Sequence, residues 1–340
     1  MKNTFRPSFL KVTTSVTKLL RLLPPELSHY LALNGLKTLD LSGLRLIKDK
    51  QTKTINLMGL TFENRLGIAG GLDKNGDYIE ALDKLGCSFI ELGTVTPRAQ
   101  KGNKKPRLFR DTINLSLLNR MGFNNKGVDY LVSRVKKAQI NCNLAISIGQ
   151  NFDTPHHKVL DDYIFCLEKT YSVANLITLN ISSPNTEGLR CLQSPEELPS
   201  FLSSLKEKQF SLSKKFGYKP LLVKISPDED EENLKAIART FISTGIDGLI
   251  ATNTSINHQS KNGHGGISGK LLFRRSTKVL RIMREVLGKK YPIIASGGVT
   301  DIKTYKEKIN SGADLVQIYT GLIYKGPQLI SEILDNKKNN

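Results

Sequence analysis

Eight short apolar runs, rich in β-branched residues, constrain this 340-residue chain more than any other feature. They fall at 66–70 (LGIAG), 89–95 (FIELGTV), 144–150 (LAISIGQ), 176–182 (LITLNIS), 221–226 (LLVKIS), 248–254 (GLIATNT), 292–298 (PIIASGG) and 315–320 (LVQIYT). Between them lie stretches with apolar residues at helical spacing, such as Tyr78–Leu85, Val128–Ala138, Tyr163–Thr170, Leu234–Ile242 and Leu280–Leu287. Continuous apolar strands alternating with helices imply a parallel sheet buried on both faces, and eight such units close a (β/α)₈ barrel. A doubly wound open sheet is the alternative, but it gathers its polar strand ends at one switch point. Here nearly every run ends in polar or glycine-rich residues, the distribution of a barrel whose chemistry lies at the C-terminal ends of its strands. The expected fold class is α/β, a (β/α)₈ TIM barrel with a small N-terminal amphipathic helical extension.

That extension reads from residues 9–23, where Phe9, Val12, Val16, Leu19, Leu20 and Leu23 alternate with Lys11, Thr13, Thr14, Lys18 and Arg21. Pro24 and Pro25 break this helix, Pro25 suits the first turn of a second one bearing Leu27, Tyr30 and Leu31, and Gly35 is expected to end it. Through Lys50 the region holds nine Lys or Arg against three Asp or Glu. A basic, amphipathic helix pair suits an anionic membrane surface, and equally suits a cap on the barrel floor. Residues 53–65 read as a small hairpin, and the final NKKNN as a frayed tail. The expected division is 1–40 helical segment, 41–336 barrel, 337–340 tail.

Composition narrows the partners. No apolar run approaches the ~20 residues of a membrane-spanning helix, and the start of the chain lacks a secretory signal. Cys87, Cys142, Cys166 and Cys191 form no C-x-x-C pair, and the five histidines lack ligand partners at metal spacing, so no metal is expected. The formal charge of +19 favours anionic partners without choosing among nucleic acid, lipid and phosphorylated ligands.

The strand ends carry the candidate chemistry. Asn180-Ile-Ser-Ser-Pro-Asn185-Thr186 closes the fourth run, and alternation sends Asn180 and Ser182 one way, Ile181 and Ser183 the other. The first run gives Gly70-Gly71-Leu72-Asp73-Lys74, and the sixth Thr252-Asn253-Thr254. Lys224 lies within an apolar strand, where a cation calls for an anionic ligand or an internal salt bridge. The last two runs end in Ser296-Gly297-Gly298 and Tyr319-Thr320-Gly321. In these barrels the loops after strands seven and eight form the usual phosphate site, so a phosphorylated ligand or cofactor is expected there. Asn119-Arg120-Met121-Gly122-Phe123-Asn124-Asn125 suits a loop covering a planar polar ligand.

Read together, GLDKNG at 71–76, ELGTVTPRAQKGNKKPRLFR at 91–110, NRMGFNNKG at 119–127, NISSPNTEGLR at 180–190, VKISPD at 223–228, ATNT at 251–254, GGISG at 265–269, SGGV at 296–299 and VQIYTG at 316–321 resemble the quinone-dependent (class 2) dihydroorotate dehydrogenases of bacterial type. The resemblance runs in order from about residue 5 to near the end. It implies an FMN barrel that oxidises dihydroorotate to orotate in pyrimidine synthesis and passes electrons to a membrane quinone. By position, Ser183 would be the base that removes the C5 proton. Lys74, Asn119, Arg120, Met121, Gly122, Phe123, Asn180, Asn185, Asn253 and Thr254 would bind substrate. Gly70, Gly71, Lys74, Thr94, Ser147, Asn180, Lys224, Thr252, Gly269, Gly298, Tyr319 and Thr320 would bind FMN. His29, Arg110 and Tyr319 resemble the lining of the quinone tunnel, whose mouth the N-terminal helices form.

The resemblance implies a monomer held peripherally, through residues 5–36, on the cytoplasmic face of the bacterial inner membrane, with no nucleic-acid partner. Ser147 stands where the family usually has asparagine, Gln150 where lysine is common, and Glu187 where proline is frequent. Rearranged flavin contacts at the third strand are therefore expected. Cys191, eight residues past Ser183, reads as a bystander. An RNA dihydrouridine synthase would explain the charge, but calls for a cysteine base and an RNA-binding C-terminal domain. A non-enzymatic lipid- or nucleic-acid-binding barrel would leave the polar strand ends without purpose.

Overall fold

Branched aliphatic side chains pack well on a pleated surface buried on both sides. In the computed structural model, which describes residues 7–41, 53–186 and 188–335, all eight runs are strands. They are β1 (Leu66–Ile68), β2 (Phe89–Val95), β3 (Asn143–Ile148), β4 (Leu176–Asn180), β5 (Leu221–Ile225), β6 (Gly248–Ala251), β7 (Ile293–Ser296) and β8 (Leu315–Ile318). Each pairs in parallel with its sequence neighbour, and β8 returns to β1 to close the barrel. Most strands stop before their apolar run does, and the leftover residues form the loops of the barrel mouth.

The surrounding helices follow local signals. In Glu231–Thr244, the Asp230 carboxylate accepts from the Asn233 backbone N–H, and Gly245 ends the helix in the left-handed region. In Ile302–Asn310, Asp301 and Thr304 form a reciprocal capping box. Their apolar faces bury residues such as Leu234, Ile237, Phe241 and Tyr305 against the strands.

The floor of the barrel is closed by the expected hairpin, Ile55–Leu57 paired with Leu60–Phe62. Phe62 is fully buried and meets Phe89 edge to face, at 5.8 Å between ring centroids. With Ala145, Leu176, Leu222, Ile250, Ile294 and Leu315 they form a second apolar cluster, so the barrel is sealed at this end.

The helix pair is α1 (Pro7–Leu20) and α2 (Pro25–Leu41). Residues 21–23 form a turn, not a helix end, and Pro25 opens α2 as expected. Gly35 does not end α2, which runs on to Leu41; a Cβ there would meet nothing within 4 Å, so no close approach calls for glycine. Nor does the pair cap the floor. Thr14 Oγ1 donates to Gln328 Oε1 at 2.7 Å, Glu26 pairs with Arg107 at 3.1 Å, and Asn34 donates to the Tyr78 hydroxyl at 3.1 Å. These contacts hold it beside the C-terminal ends of β8 and β1.

One element has no counterpart in the sequence reading. Leu108–Asp111, Ser116–Asn119 and Gly266–Gly269 form a three-stranded antiparallel sheet over the barrel mouth. Glu187 and the 337–340 tail lie outside the described residues.

Candidate active site

The strand ends and the antiparallel sheet enclose a polar cavity of about 150 Å³ at the barrel mouth. After β1, the Asp73 carboxylate accepts from the backbone N–H groups of Asn75, Gly76, Asp77 and Tyr78, at 2.8–3.2 Å. This winds the loop tightly and turns Lys74 into the cavity, where its ammonium donates to Gly71 O at 2.8 Å. Burial, with the nearby Arg107 guanidinium, pulls the Lys74 pKa down to about 8.

A chain of amide and hydroxyl bonds sets the polar wall. Asn180 Nδ2 donates to Thr94 Oγ1 at 2.7 Å, and Asn253 Nδ2 donates to Asn180 Oδ1 and Ser182 Oγ, both at 3.1 Å. Asn185 Nδ2 donates to Asn119 Oδ1 at 3.2 Å, and Asn119 Nδ2 to Gly266 O at 3.1 Å. These amides are locked in one orientation, a condition for reading the donors and acceptors of a planar ring.

Ser183 is buried and lines the same cavity as Asn180. Alternation had put the two on opposite sides. It fails because β4 ends at Asn180, after which the chain leaves strand geometry: Ile181 enters the core, and Ser182 Oγ donates to Lys224 O at 2.5 Å. Ser183 Oγ accepts from the Asn185 backbone N–H at 3.3 Å. Among the described residues no carboxylate or imidazole hydrogen-bonds to it.

Lys224 has the internal ion-pair partner of one reading, and it also faces the cavity. Its ammonium lines the cavity and lies 3.7 Å from Glu91 Oε1 of β2. Glu91 is fully buried; one oxygen accepts from the Gln317 amide of β8, and Oε1 has no hydrogen bond. Glu91 and Gln317 were not singled out in the sequence. Their inward positions on β2 and β8, two polar residues in apolar strands, were the available signal.

The loops after β7 and β8 bring Gly297, Gly298, Tyr319 and Thr320 to the cavity wall, with Ser268 and Gly269 beside Thr320. Ser268 and Thr320 hydroxyls lie 2.8 Å apart. Gly298 has φ +85°, and a Cβ there would stand 2.4 Å from Phe273 Cα. Gly70, Gly71, Thr94 and Thr252 also line the cavity, as do Met121, Gly122, Phe123 and Thr254.

Two named residues are not brought to the wall. Arg120 turns away: its guanidinium donates to His264 O and Asn262 O, each at 3.0 Å, and stacks over Phe109. It faces away because neighbours in an extended segment point to opposite sides, and its two bonds tie down Asn262 and His264. Ser147 is fully buried behind Thr94, its hydroxyl 2.8 Å from Thr94 Oγ1. Cys191 is exposed, and Arg190 beside it braces the site through Asp228 at 3.0 Å and Thr254 O at 3.3 Å.

A second cavity, apolar and about 500 Å³, lies between the helix pair and the barrel. It shares Leu108, Leu117 and Tyr319 with the first. His29 lines it, and burial together with Lys74 lowers its pKa to about 4, so its imidazole is neutral near pH 7. Arg110 also lines it and donates to Arg21 O and Leu23 O at 3.1 and 2.6 Å; its buried Nε has no partner. Tyr319 stands at the shared wall, its pKa raised to about 12 by burial.

These features match known proteins. The family model for dihydroorotate dehydrogenase matches residues 52–339. The dihydroorotate dehydrogenase (quinone) of Vibrio parahaemolyticus serotype O3:K6 is 48% identical over 323 residues, covering 92% of this chain and 96% of the relative. The enzyme of the same name from Neisseria meningitidis serogroup A is 45% identical, covering 93% and 97%. Among solved structures, the Eimeria tenella dihydroorotate dehydrogenase in complex with ferulenol superposes with a TM-score of 0.84 at 33% identity, covering 92% of this chain and 90% of that one.

Proposed function

The chain belongs to the dihydroorotate dehydrogenase family, and on that premise we propose how its two cavities divide the reaction. The enzyme oxidises dihydroorotate to orotate in pyrimidine synthesis, with a quinone as electron acceptor. A flavin is the cofactor this family implies, and the polar cavity suits one. It holds a buried Lys224–Glu91 ion pair at 3.7 Å in which Glu91 Oε1 accepts no hydrogen bond, and loops where glycines leave room that a Cβ would fill. The glycine loops after β7 and β8 favour a phosphorylated flavin, FMN, with its phosphate at Gly298 and Thr320. Gly70, Gly71, Thr94, Thr252, Gly269 and Tyr319 complete that site, and Ser147 acts on it only through Thr94. When bound, the flavin supplies the redox chemistry, accepting the substrate hydride and passing electrons to the quinone.

The chain's own residues do the rest. Asn119, Asn180, Asn185, Asn253 and Thr254 grip the pyrimidine ring, and Lys74 answers its carboxylate, with Met121, Gly122 and Phe123 closing over it. Ser183 Oγ takes the C5 proton as its own hydroxyl proton passes to solvent through water. An unassisted hydroxyl is a poor base, so the fixed amides and Lys74 must stabilise the charge that develops on the substrate. His29, Arg110 and Tyr319 line the quinone path, where the unpaired Arg110 Nε suits a quinone oxygen.

The helical segment through residue 40 serves the quinone side, and the 41–336 barrel the flavin side. No helix among the described residues is long and apolar enough to cross a membrane. Val12, Val16, Leu19, Leu22 and Tyr30 are nevertheless exposed on the helix pair. That face, beside Lys18 and Arg21, supports peripheral attachment of a monomer to an anionic bilayer on the cytoplasmic side of a bacterial inner membrane.

The observation that carries this reading is that Ser183, the locked amides and Lys224 meet in one cavity, which shares a wall with the apolar one. Rapid-mixing absorbance tests it. Ser183→Ala should slow flavin reduction by dihydroorotate by about 10²-fold or more and leave reoxidation by quinone unchanged. Unaltered reduction would remove Ser183 from the reaction.

A further inference from the structure

Lys308, on the helix Ile302–Asn310 between β7 and β8, is fully buried, yet no carboxylate among the described residues lies within ion-pair distance of it. Its neighbour Glu307 turns to Arg281, at 3.5 Å. The ammonium instead donates to Ser276 Oγ at 2.7 Å and stands 5.2 Å from the centre of the Phe273 ring. Lysines are almost never fully buried without a partner, because an isolated charge loses its hydration and gains nothing in return. Burial accordingly lowers the Lys308 pKa to about 7.

What lies beyond Ser276 suggests the missing counter-charge. Ser276 Oγ has two carbonyls to which its one proton can go, Gly297 O at 3.0 Å and Phe273 O at 3.1 Å, and a Cβ on Gly297 would stand 3.1 Å from Ser276 Cβ. Gly297 and Gly298 line the polar cavity, and Gly298 lies against the first residue of the helix Phe273–Leu287. The ammonium is thus one hydroxyl behind the loop assigned above to the phosphate, shielded from solvent, where its field is felt strongly. Ser276 and Lys308 also fix the height of that loop.

We propose that Lys308 is a positioning residue for the phosphate end of the flavin, a buried charge acting through Ser276 and Gly297 that makes the site select a phosphorylated flavin over riboflavin. This rests on the FMN reading of the cavity. The phosphate is the anion that balances the buried ammonium, so the charge that is costly in the empty protein becomes favourable on binding.

The test compares two ligands that differ only in the phosphate. The full chain, freed of flavin, is titrated with FMN and with riboflavin by flavin fluorescence. Lys308→Gln keeps a donor toward Ser276 and removes the charge; Lys308→Met removes both. In each, FMN affinity should fall about ten- to a hundredfold, while riboflavin affinity changes less than about twofold. Should neither variant fold, Ser276→Ala carries the test, with the same selective loss of FMN. Equal weakening of both flavins, or an unchanged preference for FMN, overturns the proposal. A wild-type chain that binds riboflavin as tightly as FMN overturns the FMN reading itself.

Discussion

At the scale of single residues, the polar groups of the proposed substrate site are held in place by one another. Each amide has a partner that fixes its orientation, so a ligand bound there would meet donors and acceptors that need no reorganisation. Lys74 gives a pH signature. Its ammonium is the form that attracts a carboxylate, and that form is present below its pKa of about 8. The ratio kcat/KM for dihydroorotate should therefore be level toward neutral pH and fall above pH 8 as Lys74 loses its proton; a profile flat to pH 9.5 would exclude that role.

Much of this site was legible in sequence, because asparagine, serine and lysine at the ends of apolar strands have few structural uses. The failures have physical causes. Arg120 sits among cavity residues in sequence, but its side chain faces the other way. Ser183 reached the cavity only because strand geometry ended early. Glu91, Gln317 and Lys308 could not be paired from one sequence, since their partners come from distant elements.

At the scale of elements, the barrel strands announced themselves by branched apolar composition, and the hairpin by its turn. The three-stranded sheet over the mouth did not. Its strands are four residues each, part of their surface is exposed, and Gly266–Gly269 pairs with a segment some 150 positions earlier. No local periodicity records such a pairing.

The hairpin's contribution is measurable. Phe62→Ala removes a fully buried ring from the floor cluster and should cost about 3–5 kcal/mol in denaturant unfolding, with little change in KM for dihydroorotate because the site is at the other end. A cost below 1 kcal/mol would mean the floor is not packed as described. The helix pair makes the opposite prediction. Leu19 and Leu22 are 65% and 82% exposed and touch little of the protein. Replacing both with serine should leave the melting temperature unchanged and weaken co-sedimentation with anionic vesicles about tenfold or more. Unchanged vesicle binding would leave the exposed face without a lipid role.

At the scale of the whole molecule, two cavities of opposite character meet at Tyr319, Leu108 and Leu117. The polar one is built by the strand ends and suits a small charged substrate. The apolar one is built largely by a segment outside the barrel and suits a greasy electron acceptor. The net charge of +19 favours attraction to an anionic surface. On this account the barrel carries the dihydroorotate chemistry and the helix pair determines which oxidant reaches it.

The most direct test separates the two half-reactions. Purified protein is mixed anaerobically with dihydroorotate while the flavin absorbance is followed, and a ubiquinone analogue or NAD is then added in separate runs. The account predicts bleaching by dihydroorotate and recovery with the quinone alone. A flavin that dihydroorotate cannot bleach, or that NAD restores as fast as quinone does, would contradict it.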